Sequence, residues 1–122
     1  MSRILIVDDE EVILEMLIQM VNREGYEAEG AKNGKEAMKK IAENKPDLLI
    51  TDLIMPDKEG IELIKDIRAS YKDLKILAIS GGNRHIDPMG QLKIARFLGA
   101  DASLSKPLDR KEFLSVIKNL IG

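Results

Sequence analysis

The sequence predicts a doubly wound α/β domain, a parallel sheet of five strands with a helix after each. Three observations predict it. Five strand-like segments alternate strictly with five segments whose apolar residues recur at helical spacing. The most apolar of these segments are continuous rather than alternating, as in Leu48-Leu49-Ile50, which suits strands covered on both faces. Polar residues able to carry chemistry stand at the carboxyl ends of these runs, where open parallel sheets form their sites.

The elements follow in order. Ile4-Leu5-Ile6-Val7 is the first strand, ending in Asp8-Asp9-Glu10-Glu11. Ile13, Met16, Leu17, Met20 and Val21 share one face of a helix, with Asp9 or Glu10 to cap or charge its first turn and Gly25 to end it. Glu27 to Ala31 is a weak second strand with little apolar content, which belongs nearer a sheet edge. Asn33-Gly34 turns the chain into a helix from Lys35 to Asn44, with Ala37, Met38, Ile41 and Ala42 inward. The third strand is Leu48 to Thr51, Asp52 stands where it gives out, and Met55-Pro56 forces a turn. Gly60 opens a third helix whose inner face is Ile61, Ile64 and Ile67 and which runs to about Ser70.

Lys75 to Ser80 is the fourth strand, followed by a glycine-rich loop from Gly81 to Pro88. Residues 89–98 read as a fourth helix ended by Gly99. Ala102 to Ser105 is the fifth strand, and Leu108 to Ile121 holds the last helix, with Asp109 as N-cap and Phe113, Val116, Ile117 and Leu120 inward. With right-handed crossovers, five such units are laid out most economically in the flavodoxin-like order 2-1-3-4-5.

Composition bounds the function. The chain has 122 residues, 44% hydrophobic and 33% charged, which suits one folded domain rather than a disordered one. A net charge of −2 gives no global basic field for nucleic acid. The absence of cysteine removes disulfides, thiolate zinc sites and cysteine nucleophiles, and a lone histidine is too few for a histidine-rich metal site. The first apolar run is too short for a signal-peptide core and no later run approaches a membrane span, so a cytoplasmic protein without membrane contact is expected.

In that topology four strand ends meet at one edge, bringing Asp8 and Asp9, Asp52, Ser80 and Lys106 together. Clustered carboxylates repel one another, and a hard divalent cation relieves the cost; Mg²⁺ is usually held by one or two carboxylates with water and phosphate oxygens. Lys106 adds a point charge suited to a phosphoryl group, and Ser80 adds a hydroxyl. A carboxylate in such a site can attack phosphorus to give an acyl phosphate.

The combination of Ile4 to Glu10, Asp52 to Gly60, Ser80 and Lys106-Pro107 resembles the response-regulator receiver domain, the CheY-like phosphoacceptor of two-component signalling, over essentially the whole chain. The resemblance implies that Asp52 takes a phosphoryl group from a histidine kinase or phosphotransfer protein. It implies that Asp9 binds Mg²⁺ directly and Asp8 largely through water, with Asp52 and the backbone carbonyl of Ile54 completing the set. Ser80 and the amide of Gly81 would bond phosphoryl oxygens, Lys106 would pair with the phosphoryl group, and the Lys106–Pro107 peptide is often cis in such domains. The downstream partner would dock on the fourth helix, fifth strand and fifth helix. Residues 1–122 would be a single receiver domain with no output domain, no direct contact with nucleic acid and no activity beyond self-phosphorylation and slow autodephosphorylation.

The sequence departs from the family pattern in two places. Ser103 stands where an aromatic is common, and the segment between Ser80 and Lys106 is longer than expected. The glycine-rich loop is therefore expected to move in place of the aromatic. Ile54 and Gly82 stand where side chains often tune acyl-phosphate hydrolysis, and neither can orient a water. Competing readings are an aspartyl phosphohydrolase, whose usual Asp-x-Asp is not matched by Asp8-Asp9-Glu10, and a flavodoxin-like carrier, whose phosphate these acids would repel. A receiver fold that docks without phosphorylation is the nearest alternative.

Overall fold

Strand β1 (Arg3–Val7) is covered on both faces because Ile4, Leu5, Ile6 and Val7 all lose their surface to helices on one side or the other. Around it the computed structural model, which describes residues 2–53, 59–80, 93, 96 and 99–122, places β2 (Glu27–Ala31), β3 (Leu48–Asp52), β4 (Lys75–Ser80) and β5 (Ala102–Ser105). All pair in parallel in the order β2-β1-β3-β4-β5. The flavodoxin-like layout read from the sequence is therefore the observed one. β3 is buried at every position, whereas β2 lies at an edge with Glu27 and Glu29 outward. Charged side chains on an edge discourage further pairing.

The described helices are α1 (Glu11–Arg23), α2 (Gly34–Glu43), α3 (Glu59–Ser70) and α4 (Arg110–Ile121). Five were expected. Of the expected helix at 89–98, Lys93 and Arg96 are described and both are helical, and the rest lies outside the described residues. The core has two layers, one on each face of the sheet. Leu49, Ile41, Ile64 and Ile67 belong to the layer under α2 and α3, while Ile50, Leu17, Phe113 and Ile117 belong to the layer under α1 and α4.

Several helix faces differ from expectation. α1 buries Leu14, Leu17 and Val21, and Met16 stays half exposed. Its apolar arc is wider than the strip the sheet covers, so Ile13, Met16 and Met20 instead line a groove of about 620 Å³ against Pro107 and Leu108. Glu10 occupies the N-cap of α1 without a side-chain capping bond, and Glu11 supplies the acidic first turn. Ala42 of α2 is exposed, and α3 buries Leu63, Ile64 and Ile67 rather than Ile61. α4 starts at Arg110, with Asp109 accepting from the amide of Lys111 at 3.0 Å.

At the opposite end of the sheet from the acidic cluster, Arg68 ties α3 to the start of β4 and the approach to β5. Its guanidinium donates to the carbonyls of Leu74 at 2.5 Å and Gly99 at 2.8 Å and to Asp101 Oδ2 at 2.7 Å. Asp101 Oδ2 also accepts the Ile76 amide at 2.8 Å. Removing the guanidinium leaves several acceptors to water or to nothing. Arg68→Ala is expected to lower unfolding stability by about 1–2 kcal/mol, read as a lower urea midpoint with unchanged slope.

Candidate functional site

The site forms because parallel strands deliver their carboxyl ends to one edge. β1 ends at Val7 opposite Thr51, which sets Asp8 beside Asp52. β4 and β5 add Ser80 opposite Ser105, and the amide of Lys106 donates to the Ser80 carbonyl at 2.7 Å. Asp8, Asp52 and Ser80 are buried, while Asp9 is exposed at the mouth.

One carboxylate oxygen from each of Asp8, Asp9 and Asp52 falls within 4.8 Å of the others. Lys106 Nζ donates to Asp52 Oδ2 at 2.8 Å and lies 3.8 Å from Asp8 Oδ2. The Glu10 amide donates to Asp8 Oδ1 at 2.9 Å. Asp8, Asp9, Asp52, Ser80 and Lys106 therefore gather as expected. Ile54, the Gly81 amide, Gly82, His85 and the loop to Pro88 lie outside the described residues. The Lys106–Pro107 peptide is cis.

Electrostatics show a site short of positive charge. Burial pushes the Asp8 carboxyl up from its ordinary 3.8 to about 6. The Glu10 amide opposes that shift, the Asp52 charge adds to it, Lys106 opposes it again, and Asp9 adds further. Burial would lower the Lys106 ammonium, but the hydrogen bond and charge of Asp52, then the charges of Asp8 and Glu10, outweigh it and hold the group above its usual range. Lys106 is thus a fixed cation shared between two buried carboxylates.

A hard cation fits this arrangement. The donors are oxygens, three carboxylates meet with one ammonium between two of them, and the most buried pays in pKa for being charged. Mg²⁺ suits such a set. The Ser80 hydroxyl is fully buried and finds no hydrogen-bond partner among the described residues. Buried hydroxyls are normally partnered, so this orphaned donor is consistent with a site that takes an oxygen acceptor.

Two contributions escaped the sequence reading. The Glu10 amide is a partner of Asp8, for which the signal was an aspartate two residues before an amide at a helix start. Gly60 packs its backbone against Asp52 and Leu53; the motif that ends at Gly60 marked the residue but did not report this contact.

Comparison with known proteins agrees with this geometry. The response regulator receiver domain matches residues 4–118. The chain is 34% identical over 120 residues to the alkaline phosphatase synthesis transcriptional regulatory protein PhoP of Bacillus subtilis, covering 98% of this chain and 48% of that protein. It is 34% identical over 119 residues to the response regulator MprA of Mycobacterium leprae, covering 98% and 50%. The chain thus spans about half the length of both relatives. Among solved structures, the chemotaxis protein CheY4 of Vibrio cholerae superposes with a TM-score of 0.85 at 30% identity, covering 98% of each chain. A CheY-like receiver domain protein of Methanospirillum hungatei gives 0.87 at 32% identity, covering 98% of this chain and 92% of that one.

Proposed function

We propose that this chain, which belongs to the response regulator receiver domain family, takes a phosphoryl group onto Asp52 from the phosphohistidine of a histidine kinase or phosphotransfer protein. The observation that carries the reading is the buried Asp52 carboxylate held at 2.8 Å by Lys106, inside a cluster of three carboxylates. In the reaction a carboxylate oxygen of Asp52 attacks phosphorus. The new P–O bond forms as the P–N bond breaks, and the imidazole leaves with the bonding pair and takes a proton from solvent.

Asp8, Asp9 and Asp52 would hold Mg²⁺, with the Ile54 carbonyl as a further ligand. When bound, Mg²⁺ supplies positive charge that lets these acids ionise together and draws charge from the phosphoryl oxygens. Lys106 gives up its bond to Asp52 Oδ2 and pairs with a phosphoryl oxygen, while Ser80 donates its hydroxyl to another. Catalysis rests on position and charge rather than on proton transfer by these side chains. Residues 1–122 act as one receiver domain in the cytoplasm, and the signal passes by docking at the fifth strand, the last helix and the helix before them. Among the described residues no helix is long and apolar enough to cross a membrane.

Incubation with acetyl phosphate, read by intact mass, tests the proposal. One added phosphoryl group is expected with Mg²⁺ and none in EDTA. The adduct should outlast seconds, since neither Ile54 nor Gly82 carries a side chain able to orient the hydrolytic water. Failure to form an adduct at any Mg²⁺ concentration would leave docking without phosphorylation as the better reading.

A further inference from the structure

From the packing at the end of β3 we infer that Gly60 is a positioning residue for the acceptor carboxylate. The inference rests on Asp52 being the acceptor. Asp52 lies one step past the last β1 pairing, which ends at Val7 and Thr51, and among the described residues its ladder register is with Ile79 on β4. The Leu53 amide, donating to the Ile79 carbonyl at 2.8 Å, fastens that side. The first turn of α3 closes the other side.

Gly60 makes that closeness feasible. A Cβ there would run into the Asp52 carbonyl oxygen, and would stand 2.6 Å from Leu53 Cα and 3.0 Å from the Asp52 carbonyl carbon. All three are backbone atoms, which cannot rotate aside. At Gly30, by contrast, a Cβ would meet the terminal methyls of Ile18 and Leu14 at 2.9–3.1 Å, and such ends can turn away. Gly60 lies within a helix, so a special backbone conformation is not what it supplies.

α3 has little room to withdraw. Leu63, Ile64 and Ile67 anchor it in the core at 2%, 0% and 0% exposure. A methyl at position 60 therefore has to displace the Asp52–Leu53 backbone, or lift the first turn against that anchor. Either way the Asp52 carboxylate moves relative to Lys106 and to the other two acids. Attack at phosphorus needs the oxygen in line, and a shift of about 1 Å can cost on the order of a hundredfold in rate.

The experiment compares wild type, Gly60→Ala, Gly30→Ala and Val21→Ala for acetyl-phosphate phosphorylation in saturating Mg²⁺. Val21, on the buried face of α1, is fully buried and provides a destabilised control in the other layer. The maximal rate of Gly60→Ala is expected to fall at least tenfold, with the half-saturating acetyl phosphate concentration within about twofold of wild type. Both controls should keep maximal rates within about twofold. Measurements in trimethylamine N-oxide keep the variants folded. Equal losses in Gly60→Ala and Val21→Ala, a wild-type rate in Gly60→Ala, or a Gly60→Ala chain unfolded even in the osmolyte would each overturn the positioning role. Wild type without an adduct would instead overturn the acceptor reading beneath it.

Discussion

Asp52→Asn is expected to abolish phosphorylation by acetyl phosphate, with no mass adduct even where wild type is fully modified. The amide is nearly isosteric, so the fold should survive, but its oxygen is a poor nucleophile and would yield no acyl phosphate. The substitution also removes the anion that Lys106 contacts at 2.8 Å and one of the three carboxylates of the acidic cluster. Binding of Mg²⁺ should therefore weaken along with chemistry. Stability in EDTA should change little, within about 1 kcal/mol, because losing the Lys106 pair is offset by relief of repulsion with Asp8. An adduct of undiminished yield on Asp52→Asn would place the acceptor elsewhere, and peptide mapping at Asp8 and Asp9 would then be decisive. The far-ultraviolet circular dichroism of the variant separates lost chemistry from lost fold.

The strands and the site were legible in the sequence for one physical reason. Strands buried on both faces need continuous apolar runs, so the place where a run stops is the end of a strand, and Asp8, Asp52 and Ser80 each stand at such a stop, while Lys106 follows the short, half-polar β5. Parallel pairing then brings these ends together without any further information. Helix faces were less legible. α1 has apolar residues around much more than half of its circumference, so periodicity alone did not choose Leu14 over Met16; the sheet did, by covering only one strip. Ala42 misled because a small side chain fits either environment. The Arg68 network was invisible because a basic residue in the last turn of a helix already satisfies the helix dipole, and its reach to Leu74, Gly99 and Asp101 depends on loops far along the chain. Gly60 belongs with these, since its neighbours are backbone atoms that no side-chain pattern reports.

Asp8→Asn should move stability and metal affinity in opposite directions. In wild type without metal, Asp8 is a carboxyl whose pKa rises on folding from 3.8 to about 6, chiefly through burial. Between those values the folded state holds a proton that the unfolded state has lost. Stability from this group is therefore fully present below about pH 4, is lost as pH rises towards 6, and stays lost at pH 7. Replacing the acid by an amide removes that cost while the side-chain oxygen can still accept from the Glu10 amide. In EDTA at pH 7 the variant should be more stable than wild type by on the order of 2 kcal/mol. The gap between the two urea-unfolding curves should open from pH 4 to pH 6 and be absent below pH 4. A gap independent of pH would mean that Asp8 is not the titrating group. With Mg²⁺ present the gap should shrink: affinity measured by calorimetry should fall about 10–100-fold, since an acid that holds the metal even through water sets much of the binding. The same burial that makes Asp8 costly to ionise is what makes a cation worth binding, so a variant that gained stability in EDTA without losing Mg²⁺ affinity would break the link between this carboxylate and the metal.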